Sequence, residues 1–496
     1  MLLVWGNAYL FVERDIMLTR RHFLVGTVAL CGGAYGDVAP IPSAVQRDLN
    51  GISVDASVVV RRVPRGIGGV CINGHTPEFA TNGQGINFQG DLEAARVGLV
   101  RTVGYPDDKL PGHDVVYVDR NVRAIVRAGA TPLFVQYIAP GLPYLRSLRS
   151  DGVGETSGTV TTNLVALVRR YLGAPYNLRT QYWEIGNEPE GTIDYKIPRA
   201  SDYTGIFNAC HDALVAAGLR DHVVLCGPAV GSPYGFPPGG YNTQIIDQVL
   251  TDCAHSVDVV TYHTYAGATS TDALLNAPFN LDDMEDSARI GGVPYGMPVL
   301  LERMRRVRFG RPNVGVGITE HNTTTAHHEI ASGLWNLALT QYSLYNPRSR
   351  ITTAFVFDDY GAEQDGFGHY DAAKHRDYCY WALWINGNLR GSDVVARRVT
   401  SAHNGAGRSS LLVAATRDAA HLFVEVINRS PNAIEERVVV RAKNLLGEPM
   451  VFSMAAGVLP NRSQMMRMGQ DFHYRFPPLS ASVFCFPLGS VPARRR

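Results

Sequence analysis

The sequence predicts an α/β fold in which a (β/α)8 TIM barrel carries an additional β-sandwich domain. Between about residues 66 and 389, short apolar runs alternate with segments of helical period, which is the pattern of a parallel sheet covered by helices. Beyond residue 390 the pattern changes to short strands separated by turn residues. A chain of 496 residues can hold a barrel of about 250 to 350 residues and a second domain of roughly 100.

Eight barrel strands follow one another along the chain. We expect them at 66–73, 98–103, 131–137, 180–185, 222–226, 257–262, 313–319 and 351–357. The segments between them are amphipathic; Val118, Val122 and Ile125, for example, form an apolar helical face that ends at Gly129. Such faces pack on the outside of a closed barrel, so residues 63–389 are predicted to form the barrel domain.

The second domain is predicted to come from both ends of the chain. Strands are expected at 410–416, 421–427 and 433–440, with turn residues between them. The early run from Ile52 to Arg61 precedes the first barrel strand and is expected to pair with these later strands. The β-sandwich would therefore comprise residues 52–62 and 390–490.

The first 39 residues are expected to be an N-terminal extension followed by a signal peptide. Paired Arg20 and Arg21 precede an apolar stretch that ends at Cys31 and is too short to span a bilayer. This arrangement resembles a twin-arginine export signal, with Met17 as the true start. We therefore expect a secreted or periplasmic protein; the alternative is a membrane anchor or an amphipathic arm.

Composition limits the possible partners. The 46 Lys and Arg residues nearly balance the 45 Asp and Glu residues, which leaves a formal charge of +1. Nucleic acids and anionic membranes attract concentrated basic surfaces, so neither is expected as a partner, whereas a neutral ligand such as a sugar fits. The 7 cysteines lack the short paired spacing of a zinc site. We expect buried free thiols, with one or two disulfides left open, and no metal or cofactor.

Two glutamates are predicted to lie where barrel strands end. In the segment QYWEIGNEPE, Glu188 directly follows the fourth strand, and in VGVGITEHN, Glu320 ends the seventh strand. Functional side chains in this fold converge at the carboxyl ends of the strands. Two such carboxyl groups about 5 to 5.5 Å apart are what hydrolysis of a glycosidic bond with retention requires. The alternative is that each glutamate is an ordinary salt-bridge partner.

The two motifs together carry a family resemblance. Trp-Glu-Ile-Gly-Asn-Glu-Pro on strand four with Thr-Glu on strand seven resembles the clan of retaining barrel glycosidases, whose families 39, 51 and 79 share the barrel-plus-sandwich layout. The resemblance is nearest to family 39. The resemblance covers residues 52 to 490. It implies that Glu188 is the general acid/base, that Glu320 is the nucleophile, and that Asn187 bonds the sugar 2-hydroxyl.

The resemblance also implies three supporting residues. His263 and Tyr265 follow the sixth strand and match a His-x-Tyr motif of the clan, so Tyr265 would orient Glu320 and keep it ionised while His263 lines the pocket. Arg101, near the end of strand two, matches an arginine that would hold Glu320 charged. The alternative for all three is a purely structural set of hydrogen bonds.

Loops are expected to set specificity. Asp358 and Tyr360 follow the eighth strand and are candidates for contacts with sugar hydroxyls, although an exposed loop start is the alternative. The stretches 231–241, 266–298 and 360–370 are long and rich in Gly, Pro and aromatic residues. They follow barrel strands and would rise around the site as walls, which favours a pocket that cuts chain ends.

The sequence thus predicts a retaining O-glycoside hydrolase of a polysaccharide or oligosaccharide. A transglycosylase would use the same residues, and a carbohydrate-binding protein on an inactive barrel is the alternative from another class. The sugar, its anomeric linkage and the choice between exo and endo action stay open.

Overall fold

The structure is a computed structural model, and the residues that it describes all belong to one unit of the chain, Asp48–Arg496. The described residues are 51–72, 88–103, 115–136, 138, 157–191, 197, 199–231, 240–266, 289–290, 293–294, 297–307, 311, 313–323, 329–357, 368–370, 375–400, 410–460 and 463–489. The predicted signal peptide, the residues Asp358 and Tyr360, and most of the three predicted specificity loops lie outside them.

Strands and helices alternate through the first part of this unit, and strands alone make up the rest. The described strands are β1 (Gly51–Arg62), β2 (Gly66–Cys71), β3 (Leu99–Val103), β4 (Thr131–Gln136), β5 (Gln181–Ile185), β6 (Val223–Val230), β7 (Val259–Ala266), β8 (Arg289–Ile290), β9 (Val293–Pro294), β10 (Gly315–Thr323), β11 (Ser349–Ala354), β12 (Asp393–Thr400), β13 (Leu411–Arg417), β14 (His421–Asn428), β15 (Ile434–Arg441), β16 (Met450–Met454), β17 (Ser463–Met465), β18 (Asp471–Phe476) and β19 (Ser480–Pro487). The described helices are α1 (Phe88–Ala94), α2 (Val115–Arg127), α3 (Ser157–Leu172), α4 (Ala200–Ala216), α5 (Tyr241–Asp252), α6 (Met297–Arg306), α7 (Ile330–Tyr345) and α8 (Tyr378–Asn388).

Eight parallel strands close into a barrel in the order β10-β11-β2-β3-β4-β5-β6-β7, which confirms the predicted fold class. Strands β6, β7 and β10 each run four residues further than the sequence predicted. The polar residues there resemble loop starts in sequence, but their backbones continue the ladder: Glu320 lies opposite His263, and Asn322 opposite Tyr265. Glu320 therefore lies within a strand that is hydrogen-bonded to β7, whereas Glu188 follows β5, which ends at Ile185 as predicted.

The barrel interior is filled by apolar side chains below the site. The inner cluster contains Leu99, Leu133, Cys226, Val259 and Ile351, with Tyr182 packed against it. Because successive side chains of a strand face opposite sides, the next inward positions of β3 and β5 are Arg101 and Glu184. A charged layer thus lies directly above an apolar one.

Strand β10 contains a bulge that turns Glu320 inward. Gly317 faces the barrel interior, since a Cβ added there would meet atoms of inner side chains, whereas Ile318 packs into the outer core. Strict alternation would then send Glu320 outward with Ile318. The register against β7 skips Thr319, so two residues of β10 occupy one step of the ladder. After this extra residue, Glu320 faces the pocket and His321 faces the helices.

The additional domain is one mixed sheet of nine strands, in the order β17-β16-β19-β14-β13-β12-β1-β15-β18. The early strand β1 pairs antiparallel with β12 and parallel with β15, as its position in the sequence suggested. The sheet curls on itself. The evidence is that Phe472 of the edge strand β18 packs against Phe484 of β19, which lies near the opposite edge, with ring centroids 5.4 Å apart. The predicted β-sandwich is therefore a single continuous sheet, since β1 hydrogen-bonds to β12 on one side and to β15 on the other.

The cysteines past residue 39 are all described, and all six are free thiols, five of them buried. A free cysteine behaves as a small apolar side chain, so burial of these thiols is expected. Among the described helices, none combines the length and hydropathy needed to cross a bilayer.

Candidate active site

Glu188 lies in a tight turn that directly follows β5. Its φ of 46° is in the left-handed region, which side chains other than glycine rarely adopt. The backbone N–H of Glu188 donates to the Ala229 carbonyl at 2.9 Å, and its own carbonyl accepts from the Gly191 N–H. These bonds hold the strained residue with its side chain buried at the carboxyl end of the barrel.

Glu320 lies in β10 and is held by two hydrogen-bond donors and one imidazole contact from two other strands. The Arg101 Nη1 donates to Oε1 at 2.5 Å, and the Tyr265 hydroxyl donates to Oε2 at 2.6 Å. The Nδ1 of His263 lies 3.4 Å from the same Oε2. Both oxygens of this buried carboxylate are therefore engaged by groups that favour negative charge.

His263 links the two glutamates. Its Nδ1 shares a hydrogen bond of 2.9 Å with Glu188 Oε1, in addition to its contact with Glu320. Ligand atoms of Glu188, His263 and Glu320 all lie within 4.8 Å of one another. One oxygen of Glu188 and one of Glu320 therefore lie within 4.8 Å of each other, which is nearer to the roughly 5 to 5.5 Å separation of a retaining glycosidase than to the roughly 6.5 to 9.5 Å that an inverting enzyme leaves for a water molecule.

The proton affinities of the site follow from these contacts. Burial would raise the pKa of Glu320, but the positive charges of His263 and Arg101 and the hydrogen bonds from Tyr265 and Arg101 hold it below its ordinary value. Burial would lower the pKa of His263, yet the charges of Glu320 and Glu188 raise it. Burial and the neighbouring Glu320 raise the pKa of Tyr265, so its hydroxyl stays a donor. The site is built to keep Glu320 ionised.

Arg101 connects the site to Glu184, which the sequence reasoning missed. Its Nε donates to Glu184 Oε2 at 2.7 Å, and its Nη2 donates to Asn187 Oδ1 at 2.6 Å. The bond to Asn187 turns the carbonyl of that amide toward the guanidinium and makes the NH2 the end that can donate. The sequence signal for Glu184 was its position two residues after Tyr182 on β5, which places it inward.

The predicted site residues fall into two groups. Glu188, Glu320, Asn187, Arg101, His263 and Tyr265 are all brought together at the barrel mouth. Asp358 and Tyr360 lie outside the described residues, so their roles stay predictions.

Two further residues shape the surroundings of the site. Phe355, directly after β11, places its ring edge-on to the Tyr265 ring with centroids 6.2 Å apart, and adds an aromatic wall. Glu190 accepts from the Gly231 N–H and from Asn242 Nδ2, and so ties the turn after β5 to the start of the loop after β6. The sequence signal for Phe355 was an aromatic residue just after β11, and the signal for Glu190 was an acidic residue in the turn after β5.

His321 directly follows Glu320 on β10, but it does not face the pocket. Its Nδ1 shares a hydrogen bond of 2.8 Å with Asn336 of α7, and its ring lies beside Trp335. Burial lowers the pKa of His321 to about 3, so the ring is neutral. The residue belongs to the contact between barrel and helices.

The spacing of Glu188, His263 and Glu320 would also accommodate a small divalent cation. The chemistry of the set fits this less well, because a cation would sit beside the Arg101 guanidinium and compete with it for Glu320. The arrangement matches two carboxyl groups that flank one reacting carbon.

Comparison with known proteins shows the fold. An α-L-arabinofuranosidase from Thermotoga maritima is 16% identical over 89% of this chain and 100% of its own, with a TM-score of 0.62. A xyloglucanase of glycoside hydrolase family 44 from Paenibacillus polymyxa is 14% identical over 88% and 99%, with a TM-score of 0.62. A β-xylosidase from Caulobacter crescentus is 13% identical over 89% and 100%, with a TM-score of 0.60. No family model and no curated protein matches the chain.

Proposed function

We propose that the protein is a retaining O-glycoside hydrolase, with Glu188 as general acid/base and Glu320 as nucleophile. The observation that carries this proposal is the pair of buried carboxyl groups joined through His263, with ligand atoms within 4.8 Å of one another. The fold is shared with solved structures of proteins named as an arabinofuranosidase, a xyloglucanase and a β-xylosidase. Family 39 membership rests on the sequence motifs alone and stays a prediction.

The first step forms a covalent glycosyl-enzyme. A Glu320 oxygen bonds to the anomeric carbon while the bond from that carbon to the leaving oxygen breaks, and Glu188 gives its proton to that oxygen. Among the described residues, Glu188 Oε2 has no hydrogen-bond partner, so it is the oxygen suited to carry this proton. Glu320 is ready for attack because Arg101 and Tyr265 keep it ionised.

The second step returns the enzyme to its starting state. Glu188, now ionised, takes a proton from a water molecule, whose oxygen bonds to the anomeric carbon while the ester bond to Glu320 breaks. Asn187 is held by Arg101 beside Glu320, where its NH2 would donate to the sugar 2-hydroxyl. Such a bond strengthens as positive charge develops on the ring.

The test is a panel of aryl glycosides in which the anomer of the first product is read by NMR. The panel should include α-L-arabinofuranosides, β-D-xylosides and xyloglucan, because proteins named for these substrates share the fold. Retained configuration is expected. A product of inverted configuration would contradict the nucleophile role of Glu320.

Azide rescue assigns the two glutamates separately. With an activated aryl leaving group, Glu188→Ala should form the glycosyl-enzyme without acid help, and azide should then release a glycosyl azide of retained configuration. Glu320→Ala should yield the inverted azide, since azide attacks the substrate directly. The matched control is Glu302→Ala on α6, a half-buried glutamate paired with Arg305 and Arg306, and this variant should hydrolyse at the wild-type rate.

A transglycosylase would give the same rescue pattern. It is distinguished by adding an oligosaccharide acceptor and comparing transfer product with free sugar. If the protein only binds sugars, the wild type should bind members of the panel but release no aglycone from them.

We also propose export through a twin-arginine signal, supported by Arg20 and Arg21 ahead of the apolar stretch. N-terminal sequencing of protein recovered from the periplasm or medium is the test. A mature protein that begins before Met17 would refute the proposal.

A further inference from the structure

Glu184 is a buried carboxylate that the mechanism does not use. Its side chain is fully buried on β5, above the apolar interior that includes Tyr182 and Cys226. Taking a charge out of water costs several kcal/mol, and replacement of a buried ion pair by apolar groups is often neutral or stabilising. Stability alone therefore gives little reason for an acid at this position.

The contacts of Glu184 lead to one residue. Its Oε2 accepts from Arg101 Nε at 2.7 Å, while the other end of the same guanidinium bonds Glu320 and Asn187. Within the part of the chain that the structure describes, Glu184 Oε1 has no hydrogen-bond partner. Glu184 thus reaches the reaction only through Arg101.

We propose that Glu184 is a positioning residue: it aims the Arg101 guanidinium at Glu320 and Asn187 and, as its second counter-charge, limits how strongly Arg101 stabilises the ionised nucleophile. This inference rests on the proposed function. An arginine paired with Glu320 alone would stabilise the carboxylate more, and a carboxylate held too firmly attacks carbon less readily.

The charges around Glu320 define what a change at Glu184 does. The groups that face it are Arg101 from β3, His263 and Tyr265 from β7, Glu188 after β5, and the Cys71 thiol at the end of β2. Burial raises the pKa of Cys71 to about 12, so the thiol is uncharged near neutrality. We expect removal of the negative charge of Glu184, which is the other ion-pair partner of Arg101, to lower the pKa of Glu320.

The test is the pH profile of kcat/KM for Glu184→Gln, because the acid limb reports ionisation of the free enzyme. The glutamine oxygen can still accept from Arg101 Nε, so orientation is kept and only charge is removed. We expect the acid limb to move to lower pH by about 0.5 to 1 unit. We expect kcat to fall about tenfold with little change in KM.

Two other outcomes for Glu184→Gln overturn the proposal. An acid limb at the wild-type position means that Glu184 only fills space, and a limb at higher pH means that Arg101 has lost its place.

If Glu184→Gln does not fold, Glu184→Asp is the deciding variant, because aspartate keeps the charge and has a shorter side chain. An unmoved limb with a reduced kcat supports the proposal, and a limb displaced as far as one pH unit overturns it.

The matched control is Glu425→Gln, the same substitution at a buried glutamate of β14, far from the barrel mouth in sequence and in another sheet. It should keep the wild-type acid limb and kcat. Failure of the proposed function shows separately, since the wild-type protein would then hydrolyse no member of the glycoside panel.

Discussion

Glu320 at the barrel mouth and Glu425 on β14 are both strand glutamates, and their exposed fractions are 7% and 8%. Burial would raise the pKa of both. For Glu320, the charges of His263 and Arg101, together with hydrogen bonds from Tyr265 and Arg101, reverse that effect and lower the pKa. For Glu425, Gln341 and Arg390 offset burial only in part, and its pKa is raised to about 7.

The difference teaches that burial does not decide the charge of a carboxyl group; its donors do. Arg101 makes a direct ion pair of 2.5 Å with Glu320. Arg390, by contrast, donates to the Ile67 carbonyl and acts on Glu425 only as a nearby charge. A buried carboxyl group with two direct donors and a nearby imidazole has a lowered pKa, whereas one without a direct ion pair has a raised pKa and is only partly ionised near neutral pH.

The largest expected effect comes from removing the charge of Glu320 while keeping its shape. Glu320→Gln should lower kcat by at least about 10⁴-fold on any substrate that the panel identifies, because an amide cannot form the covalent intermediate. Steady-state kinetics, with a folded protein shown by circular dichroism, measure this. Near-normal turnover would end the contrast between the two glutamates, because the charge would then serve no chemistry.

A smaller loss is expected when the donor is changed but its charge is kept. Arg101→Lys retains one positive charge yet cannot bond Glu184, Glu320 and Asn187 together, because an ammonium group lacks the planar fork. We expect kcat/KM to fall about 10³-fold. Kinetics at several pH values check this. A lysine variant as active as the wild type would show that charge alone, without geometry, distinguishes Glu320 from Glu425.

The sequence could predict the barrel and the two glutamates because both depend on local patterns. The alternation of strands and helices is visible along the chain, and Glu188 and Glu320 lie where strands end. The bulge at Thr319 could not be predicted, since it depends on the register between β10 and β7, which are separated by about 50 residues of chain. Without that bulge, the same motif would direct Glu320 into the helix layer.

Glu184 and the single curled sheet were missed for different reasons. The sequence around Glu184 is typical of an ordinary strand. Only its position two residues after Tyr182, whose side chain packs inside the barrel, shows that Glu184 faces the interior. The sheet is continuous because β1 pairs in parallel with β15, a contact between residues 52–55 and 438–441. Pairing between such distant segments leaves no local pattern in the sequence.

A still smaller loss of activity is expected when only one of the donors to Glu320, the Tyr265 hydroxyl, is removed. Tyr265→Phe removes the 2.6 Å hydrogen bond to Oε2 and leaves Arg101 in place. Because that bond favours the ionised form, its loss raises the pKa of Glu320, and the acid limb of kcat/KM should move to higher pH. We expect kcat to fall about 10²-fold. A limb that stays in place would show that the hydroxyl orients Glu320 without stabilising its charge.

The smallest effect is expected at Glu425 and concerns stability rather than catalysis. Its pKa in the folded protein, about 7, lies above the ordinary value of 4.5, so folding favours the protonated form. The stability that this provides is complete below about pH 4.5 and is lost as the pH rises through 7. Glu425→Gln cannot ionise and should escape the loss. Chemical denaturation should show a gain of about 1 to 3 kcal/mol at pH 8 and little difference near pH 4.5. A gain of equal size at both pH values would mean that packing, not ionisation, separates the variant from the wild type, and Glu425 would then be no counterpart to Glu320.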